Sequence, residues 1–332
     1  MNNSIILKNR PEGKPSMDNF HFKETEKPAA EEGEILLKAI YVSVDPYLRG
    51  RMRDEKSYIP PFKLDEPISS MIVAEVVESN NDNFKQGDFV SGMLEWKIFQ
   101  TSNGEGLNII DKELAPLSAY IGILGLTGIT AYLGLEKIGK LKKGETLLVS
   151  GAAGAVGSVV GQIGKLKSCK VVGIAGSDEK IRTLQQKFNF DAGINYKDTE
   201  DMETSIAKAC PDGVNVYFDN VGGEILDAAI ANMNKYGRVI NCGAISLYNA
   251  KEQPAGPRLE TTLIKKSLSM QGFTVRDYFE DFPAAIKQLG EWLKNDKIEY
   301  EETIVEGFNQ IPQAFIDLFE GKNKGKMIVK VA

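Results

Sequence analysis

Side chains that bind metals are scarce in this sequence. It contains one histidine, His21, and three cysteines, Cys169, Cys210 and Cys242, which lie far apart along 332 residues. No pair of them has the close spacing typical of zinc ligands, so no metal site is predicted. The same spacing argues against a disulfide framework, and unpaired cysteines favour a reducing compartment such as the cytoplasm.

An excess of basic charge and a secretory leader are also missing. The chain has 40 basic and 46 acidic side chains and a net charge of -6, which is unfavourable for binding a phosphate backbone. The N-terminal stretch MNNSIILKNRPEG lacks the long apolar core of a signal peptide. We therefore expect a cytoplasmic protein that binds no nucleic acid.

Long apolar runs are missing too, with one exception. Residues 114–135 carry no charge and are long enough to span a bilayer as a helix. Pro116 and four glycines interrupt this stretch, which makes a continuous helix facing lipid unfavourable. We expect it to be buried in the protein rather than inserted in a membrane.

The most informative stretch that is present contains a glycine-rich turn, GAAGAVG. Apolar runs at 146–149 and 171–174 are typical of buried parallel strands, and 156–166 has the pattern of a helix between them. The turn matches the dinucleotide fingerprint G-x-G-x-x-G with Ala152 in place of the first glycine. This strand, turn, helix and strand context predicts nucleotide binding; the alternative is a structural turn in another α/β sheet.

The pattern of elements changes along the chain. Residues 1 to about 110 contain short strands and turns without sustained helical periodicity, which indicates a β-rich domain. From about residue 119 strands alternate with amphipathic helices, which predicts parallel strands joined by crossovers. These apolar strands begin near residues 146, 171, 192, 214 and 238. Strand character returns at 299–305 and 325–331, and we expect those segments to rejoin the first domain.

The residues after the second predicted strand bear on cofactor choice. An acid at its end usually holds the ribose of NAD, whereas a small residue with a nearby cation admits the phosphate of NADP. Here Gly176 and Ser177 end the strand, which favours NADPH, and Lys180 is the candidate cation. Asp178 and Glu179 would repel the phosphate unless they point away from it. Lys180 is alternatively an ordinary solvated helix lysine.

Two further turns follow predicted strands. Asn220-Val221-Gly222-Gly223 follows one, and Cys242-Gly243-Ala244-Ile245-Ser246 follows the next. Ligands of open α/β sheets bind outside the carboxyl ends of the strands, so both turns are candidates for nicotinamide contact. The alternative is that these glycines only end the strands.

Several segments together carry a resemblance that covers nearly the whole chain in order. They are YVSVDPYLRG, GLTGITAYLGL, AAGAVGSVVGQIGKLKSCKVVGIAGSDEK, INYK, YFDNVGGE, CGAISLYN and GKNKGKMIVK. The chain resembles the zinc-independent branch of the medium-chain dehydrogenase/reductase superfamily, and within it the prostaglandin reductases and the alkenal or enone reductases. The resemblance implies an α/β fold in which a Rossmann doubly wound parallel sheet, residues 122–294, is inserted in a GroES-like β-rich catalytic domain, residues 1–121 and 295–332. It also implies NADPH as hydride donor and a homodimer.

Carried over by position, the resemblance implies a set of cofactor contacts. Those near the phosphates are Gly154, Ala155, Val156, Gly157, Ser177, Lys180 and Tyr196. Those along the rest of the cofactor are Asn220, Cys242, Gly243, Ala244, Ile245, Ser246, Tyr248, Phe273, Thr274, Val275 and Asn323.

Two tyrosines are the candidate catalytic residues. When hydride attacks the β-carbon of an enone, charge moves to the carbonyl oxygen, where a hydroxyl donor can stabilise it. Tyr248 ends the loop expected over the nicotinamide and resembles the family's active-site tyrosine; alternatively it packs at the domain seam. Tyr47 is a second candidate for lining the substrate cleft, although Asp45-Pro46-Tyr47 also suits a structural turn.

The sequence therefore predicts an NADP-dependent oxidoreductase that reduces the carbon–carbon double bond of α,β-unsaturated ketones or aldehydes without a metal. An NADPH-dependent quinone oxidoreductase is the alternative within the same class. A non-catalytic NADPH-binding sensor or scaffold is the alternative from another class. A zinc-dependent dehydrogenase would require stoichiometric metal. The physiological substrate, the source of the α-carbon proton and the strictness of NADPH over NADH stay open.

Overall fold

The computed structural model describes residues 1–252 and 254–331, which form two compact units. The first unit comprises Met1–Gly122, Glu302–Asn323 and the chain from Met327 onward, and the second comprises Ile123–Glu301 and Lys324–Lys326. Gln253 and Ala332, which fall within the predicted domain ranges, lie outside the described residues.

The first unit begins as a series of short strands. They are β1 (Asn2–Leu7), β2 (Phe20–Thr25), β3 (Ile35–Ser43), β4 (Ser69–Ser79), β5 (Phe89–Glu95), β6 (Phe99–Ser102) and β7 (Asn108–Ile109), with one helical turn, α1 (Leu48–Arg51), between β3 and β4. The first four side chains of β4 are alternately part-exposed and buried, as expected for a strand with one face on a core, and the next two are buried.

The second unit alternates strands and helices. Its elements are α2 (Leu126–Leu133), β8 (Thr146–Val149), α3 (Gly157–Leu166), β9 (Lys170–Ala175), α4 (Asp178–Gln186), β10 (Ala192–Asn195), α5 (Met202–Ala209), β11 (Val214–Asp219), α6 (Gly223–Ala231), β12 (Met233–Asn241), α7 (Glu260–Lys266), β13 (Ser269–Gly272) and α8 (Phe282–Lys294). The chain then completes the first unit with β14 (Glu302–Glu306), α9 (Ile311–Leu318) and β15 (Lys326–Lys330).

The sheet of the second unit has the strand order β10-β9-β8-β11-β12-β13, and all its pairs are parallel. This is the doubly wound strand order 3-2-1-4-5-6. The order in which the chain adds strands to the sheet reverses between the first and fourth strands, here β8 and β11. All four residues of β8 are buried because helices cover both faces of such a sheet. The predicted α/β fold class is confirmed.

The sheet of the first unit has the order β14-β15-β3-β4-β5-β7, and β6 also pairs with β3. The C-terminal strand β15 pairs antiparallel with β3, so the end of the chain returns to the sheet formed by its beginning. The apolar core of this unit includes Leu37, Ile72 and Trp96, and the indole nitrogen of Trp96 donates to the Ser70 hydroxyl at 2.8 Å.

The uncharged stretch 114–135 is divided rather than continuous. It forms a short 3-10 helix, Leu117–Ile121, followed by α2, and many of its side chains are buried. Among the described residues no helix has both the length and the apolar character needed to cross a bilayer.

Candidate nucleotide site and active site

The turn after β8 is too tight for side chains at its key positions. A methyl group placed on Gly157 would lie 2.4 Å from the carbonyl oxygen of Gly151, so only glycine permits this approach. Gly151 itself has a φ of 56°, whereas Ala152 keeps an ordinary backbone and a buried methyl group. The positive φ thus falls one residue before the alanine, which explains why the fingerprint tolerates Ala152.

The turn leads directly into α3, which begins at Gly157. The N–H groups of Ser158 and Val160 donate to the carbonyls of Gly154 and Val156 in the turn. The start of α3 also carries the positive end of the helix dipole, which favours a bound phosphate. A second backbone segment crosses the turn: Gly325 forms a bridge with Gly154 and donates to the carbonyl of Ala153 at 2.8 Å. The predicted contacts Gly154, Ala155, Val156 and Gly157 therefore lie together at a helix N-terminus.

The end of β9 packs on a predicted phosphate contact. A methyl group placed on Gly176 would lie 2.8 Å from the ring of Tyr196, so the glycine makes room for that ring. The backbone N–H of Tyr196 donates to the carbonyl of Ala175 at 3.1 Å. Tyr196 is 43% exposed, so the ring can contact both Gly176 and a ligand.

Lys180 lies near two other lysines, Lys197 and Lys324. Its backbone N–H is capped by the Ser177 hydroxyl at 3.3 Å, which fixes the start of α4. Burial, followed by the nearby charges of Lys197 and Lys324, lowers the pKa of Lys180 below its usual value. The charge of Glu179 acts in the opposite direction, and the net lowering of the pKa shows that burial and the neighbouring lysines outweigh it. The three lysines are suited to a ribose phosphate because each supplies a positive charge near it.

The two acids that precede Lys180 are both engaged by other side chains. Glu179 forms an ion pair with Lys324 at 2.5 Å, and Asp178 accepts from the Asn195 amide at 2.9 Å. Both also suit the first turn of α4 because of the helix dipole. Their presence after the strand is therefore compatible with a phosphate near Lys180.

The turns after β11 and β12 are bound to each other through their backbones. The N–H groups of Ile245 and Ser246 donate to the carbonyls of Asn220 and Val221 at 3.3 and 3.1 Å. The Asn220 amide in turn donates to the carbonyl of Ser150, at the end of β8, at 2.8 Å. The predicted contacts Asn220 and Cys242 to Ser246 therefore lie together at the carboxyl edge of the sheet.

Tyr248 folds back on its own loop. Its hydroxyl oxygen accepts from the backbone N–H of Ala244 at 3.2 Å, and a methyl group placed on Gly243 would lie 3.2 Å from that oxygen. Accepting this bond uses a lone pair of the hydroxyl and not its proton. The loop thus fixes where the phenol oxygen lies.

The predicted contacts after β13 are partly occupied by local structure. The backbone N–H of Phe273 faces the carbonyl of Asn241 at 3.4 Å, and its ring packs near Tyr278, with ring centroids 6.3 Å apart. The backbone N–H of Thr274 donates to the Asp277 carboxylate at 3.1 Å and starts a 3-10 helix at Val275.

Two predicted site residues belong to the other unit. Tyr47 packs, partly buried, against the core of the first unit, just before α1. Asn323 is the last residue of the first unit before Lys324–Lys326. The predicted contacts of the second unit lie at the glycine turn, at the end of β9 and at the turns after β11, β12 and β13. Their roles, like those of Tyr47 and Asn323, stay predictions.

Known proteins resemble the chain over its whole length. A family described as N-terminal domain of oxidoreductase matches residues 3–110, and one described as zinc-binding dehydrogenase matches residues 155–291. A putative NADP-dependent oxidoreductase of Bacillus subtilis (strain 168) is 54% identical over 99% of this chain and 97% of its own. A 2-alkenal reductase (NADP(+)-dependent) of Nicotiana tabacum is 42% identical over 100% of this chain and 98% of its own.

A solved structure extends the likeness to three dimensions. CurA from Vibrio vulnificus in complex with NADPH has a TM-score of 0.95 and 41% identity and covers 99% of both chains. The chain belongs to the zinc-independent branch of the medium-chain dehydrogenase/reductase superfamily. Within that superfamily its relatives include alkenal reductases and prostaglandin reductases, so the predicted family is confirmed.

The donor set of this family member does not suit a zinc ion. Among the described residues no three His, Cys, Asp or Glu side chains form a metal cluster, although one matching family is described as zinc-binding. Burial raises the pKa of Cys210 to about 11, and burial with the charge of Asp219 raises that of Cys242 to about 12. These thiols therefore stay protonated, which disfavours both metal binding and nucleophilic attack.

An NADP cofactor does fit this member of the reductase family. The tight glycine turn lies at a helix N-terminus, whose dipole favours a pyrophosphate. Strand β9 ends at Ala175 without an acid, and Lys180 follows in the first turns of α4.

Lys324–Lys326 lies against the glycine turn and belongs to the segment GKNKGKMIVK that carries part of the resemblance. Sequence reasoning missed one residue of this site. Asp219 is fully buried at the end of β11 although its sequence context, VNVYFD, is an apolar strand. An acid that closes a buried strand is itself unusual, and this signal could have drawn attention to it.

Proposed function

We propose that the chain reduces the carbon–carbon double bond of α,β-unsaturated ketones and aldehydes with NADPH as reductant. The observation that carries this proposal is the full-length similarity to a reductase named for 2-alkenals, combined with a doubly wound sheet whose glycine turn and Lys180 fit NADPH. A 2-alkenal is an aldehyde with a conjugated double bond, so the same chemistry extends to enones.

Different residues of the second unit bind different parts of the cofactor. Backbone N–H groups at the start of α3 bind the pyrophosphate, and Lys180 with Tyr196 binds the ribose phosphate. Asn220, the loop from Cys242 to Ser246 and the segment from Phe273 to Val275 contact the nicotinamide half. When bound, NADPH supplies a hydride. Asn323 of the first unit contributes a further contact in this proposal.

Tyr248 is the proposed catalytic residue. Its hydroxyl donates a hydrogen bond to the substrate carbonyl oxygen, where negative charge develops as the double bond is reduced. The bond it accepts from Ala244 makes the hydroxyl a stronger donor, because hydrogen bonds in a chain polarise one another. Tyr47 lines the substrate cleft in this proposal.

Steady-state kinetics with a substrate panel tests the proposed function. NADPH oxidation is followed with enones, 2-alkenals and quinones, and each is repeated with NADH. We expect turnover of enones and alkenals with a preference for NADPH. Turnover of quinones alone would replace the proposal with quinone reduction, and tight NADPH binding without any turnover would indicate a sensor or scaffold.

We also propose that the protein is a cytoplasmic homodimer. Its catalytic domain comprises residues 1–121 and 295–332, and its dinucleotide-binding domain comprises residues 122–294. The three cysteines are unpaired, which suits a reducing compartment. All four residues of the edge strand β13 are exposed, and Ile264 in α7 and Phe279 after β13 are 78% and 68% exposed. An exposed strand edge with apolar neighbours is suited to pairing with a second copy of the chain.

A further inference from the structure

Asp219 is the last residue of β11, which pairs with β8 at the point where the strand order of the sheet reverses. Its side chain is completely buried, with 0% relative exposure. A buried carboxylate is costly unless hydrogen bonds replace its water, so the residue calls for a physical account. It was not among the predicted site residues and its carboxylate does not pair with any lysine or arginine in the described ion pairs.

The carboxylate is held by neutral donors. Oδ1 accepts from the Ser150 hydroxyl at 2.9 Å, from the Tyr217 hydroxyl at 2.7 Å and from the backbone N–H of Val221 at 3.0 Å. The N–H of Gly222 lies 3.0 Å from Oδ1 and 3.2 Å from Oδ2. Burial, with the charge of Asp219, raises the pKa of Tyr217 well above its usual value, so this partner stays a donor.

The backbone of Asp219 binds a further turn. Its carbonyl oxygen accepts from the N–H groups of Cys242 and Gly243 at 2.9 and 3.1 Å. One residue therefore contacts the ends of three strands: Ser150 after β8, Val221 and Gly222 after β11, and the loop after β12.

These are the turns that carry the proposed nicotinamide contacts. Ser150 links Asp219 to Asn220, because its hydroxyl also accepts from the Asn220 N–H at 2.9 Å. The loop that starts at Cys242 leads to Tyr248, whose hydroxyl is fixed by Ala244 within the same loop. A change in the Asp219 carboxylate would therefore act directly on Ser150 and on the turn after β11. It would reach the loop after β12 through the backbone bonds that Ile245 and Ser246 donate to Asn220 and Val221.

We propose that Asp219 is a positioning residue, which sets the relative placement of Asn220 and the loop from Cys242 to Tyr248 and thereby the placement of the nicotinamide ring. This inference rests on the proposed function and deepens it. Asp219 touches neither cofactor nor substrate and acts through the turns that it binds. A misplacement of about 1 Å in a reacting group can cost about a hundredfold in rate, so such control is catalytically significant.

The main test replaces Asp219 with asparagine, which keeps the shape but substitutes an amide NH2 for one acceptor oxygen. We expect kcat to fall roughly 10- to 100-fold while the NADPH dissociation constant changes less than about threefold, because the phosphate contacts are unaffected. The fluorescence enhancement of the bound nicotinamide, which needs no substrate, should decrease as well.

Ser150→Ala is the milder variant, because it removes the hydroxyl between Asp219 and Asn220 and leaves the backbone donors of Val221 and Gly222 to the carboxylate in place. It should change kcat and nicotinamide fluorescence in the same direction by a smaller factor, and it keeps the test valid if Asp219→Asn does not fold. Asn215→Ala is the matched control: Asn215 lies on the same strand and its side chain accepts from the Thr146 N–H at 2.9 Å at the strand's other end. It should lower the melting temperature without changing kcat or nicotinamide fluorescence.

The outcomes separate positioning from simple stability. If Asp219→Asn and Ser150→Ala lower the melting temperature as the control does, but leave kcat and nicotinamide fluorescence at wild-type values, the inference is overturned. If wild-type protein reduces no enone yet Asp219→Asn loses nicotinamide fluorescence at unchanged NADPH affinity, the proposed function fails and the positioning role stands.

Discussion

At the scale of single residues, the structure explains how one hydroxyl is held in place. Tyr248 accepts from the backbone of Ala244 within its own loop, and that loop is bound to the turn after β11. Backbone contacts therefore help to set the position of the phenol oxygen, and such contacts cannot be predicted from the sequence alone.

The first prediction concerns this hydroxyl. Tyr248→Phe should lower kcat by roughly a hundredfold, the scale expected for loss of one donor to a developing oxyanion, with little change in NADPH affinity. Steady-state kinetics and fluorescence titration of NADPH would measure the two effects. Tyr236→Phe is the control, because Tyr236 is 67% exposed on β12. Unchanged turnover in Tyr248→Phe would remove this residue from the mechanism.

A second prediction concerns Lys180. Lys180→Met should weaken NADPH binding by roughly 10- to 100-fold, as expected for a hydrogen bond to a charged group, and should leave NADH binding nearly unchanged. The exposed helix residue Lys208 provides the control substitution Lys208→Met. Equal losses of affinity for NADPH and NADH would show that Lys180 does not bind the ribose phosphate.

The lowered pKa of Lys180 adds a dependence on pH. The protonated lysine binds the phosphate, so the preference for NADPH over NADH is complete below this pKa and is lost as pH rises through it. Because the pKa is lowered, the loss should begin at a lower pH than for an exposed lysine. Dissociation constants of both dinucleotides across alkaline pH would show this, and Lys180→Met should abolish the trend.

At the scale of elements, the sequence predicted those with strong periodicity. The apolar runs near residues 146 and 171 are β8 and β9, and the helix predicted at 156–166 begins one residue later as α3. Strand β13 was missed because all four of its residues are exposed and give no apolar pattern.

The candidate site was predicted less evenly. Glycine spacing indicated the turn before α3, because close backbone approach restricts the residue type there. The hydrogen bonds around Asp219 join residues up to 70 positions apart, and such pairings depend on how the strands are ordered in the sheet. Motif spacing could not have given them.

The glycine turn yields a third prediction. Gly157→Ala should disrupt the turn, because the added methyl group would lie 2.4 Å from the Gly151 carbonyl oxygen and 2.7 Å from the Cα of Ala152. Overpacking of this kind costs roughly 1 to 3 kcal/mol, and NADPH affinity should fall with it. Denaturant unfolding and calorimetric titration would measure both. Gly50→Ala, where the added methyl group has open space, should have neither effect.

At the scale of the whole molecule, the exposed edge strand β13 leads to a fourth prediction. Ile264→Glu should convert the proposed dimer to a monomer, because it places a charge in an apolar surface beside that edge. Ile109→Glu in the first unit is the control, since Ile109 is 55% exposed there, and it should stay dimeric. Light scattering after size exclusion would report the mass; a monomeric wild-type protein would contradict the dimer.

The net charge of -6 and the doubly wound sheet are shared by many nucleotide-dependent enzymes, so neither identifies the reaction. The account depends instead on hydride reaching the β-carbon of a conjugated double bond. The most direct measurement uses NADPH carrying deuterium at the transferable position, with a simple enone as substrate, and locates the deuterium in the product by NMR. We predict a saturated ketone with deuterium on the β-carbon. Deuterium on the former carbonyl carbon of an allylic alcohol, or no reaction, would contradict the account.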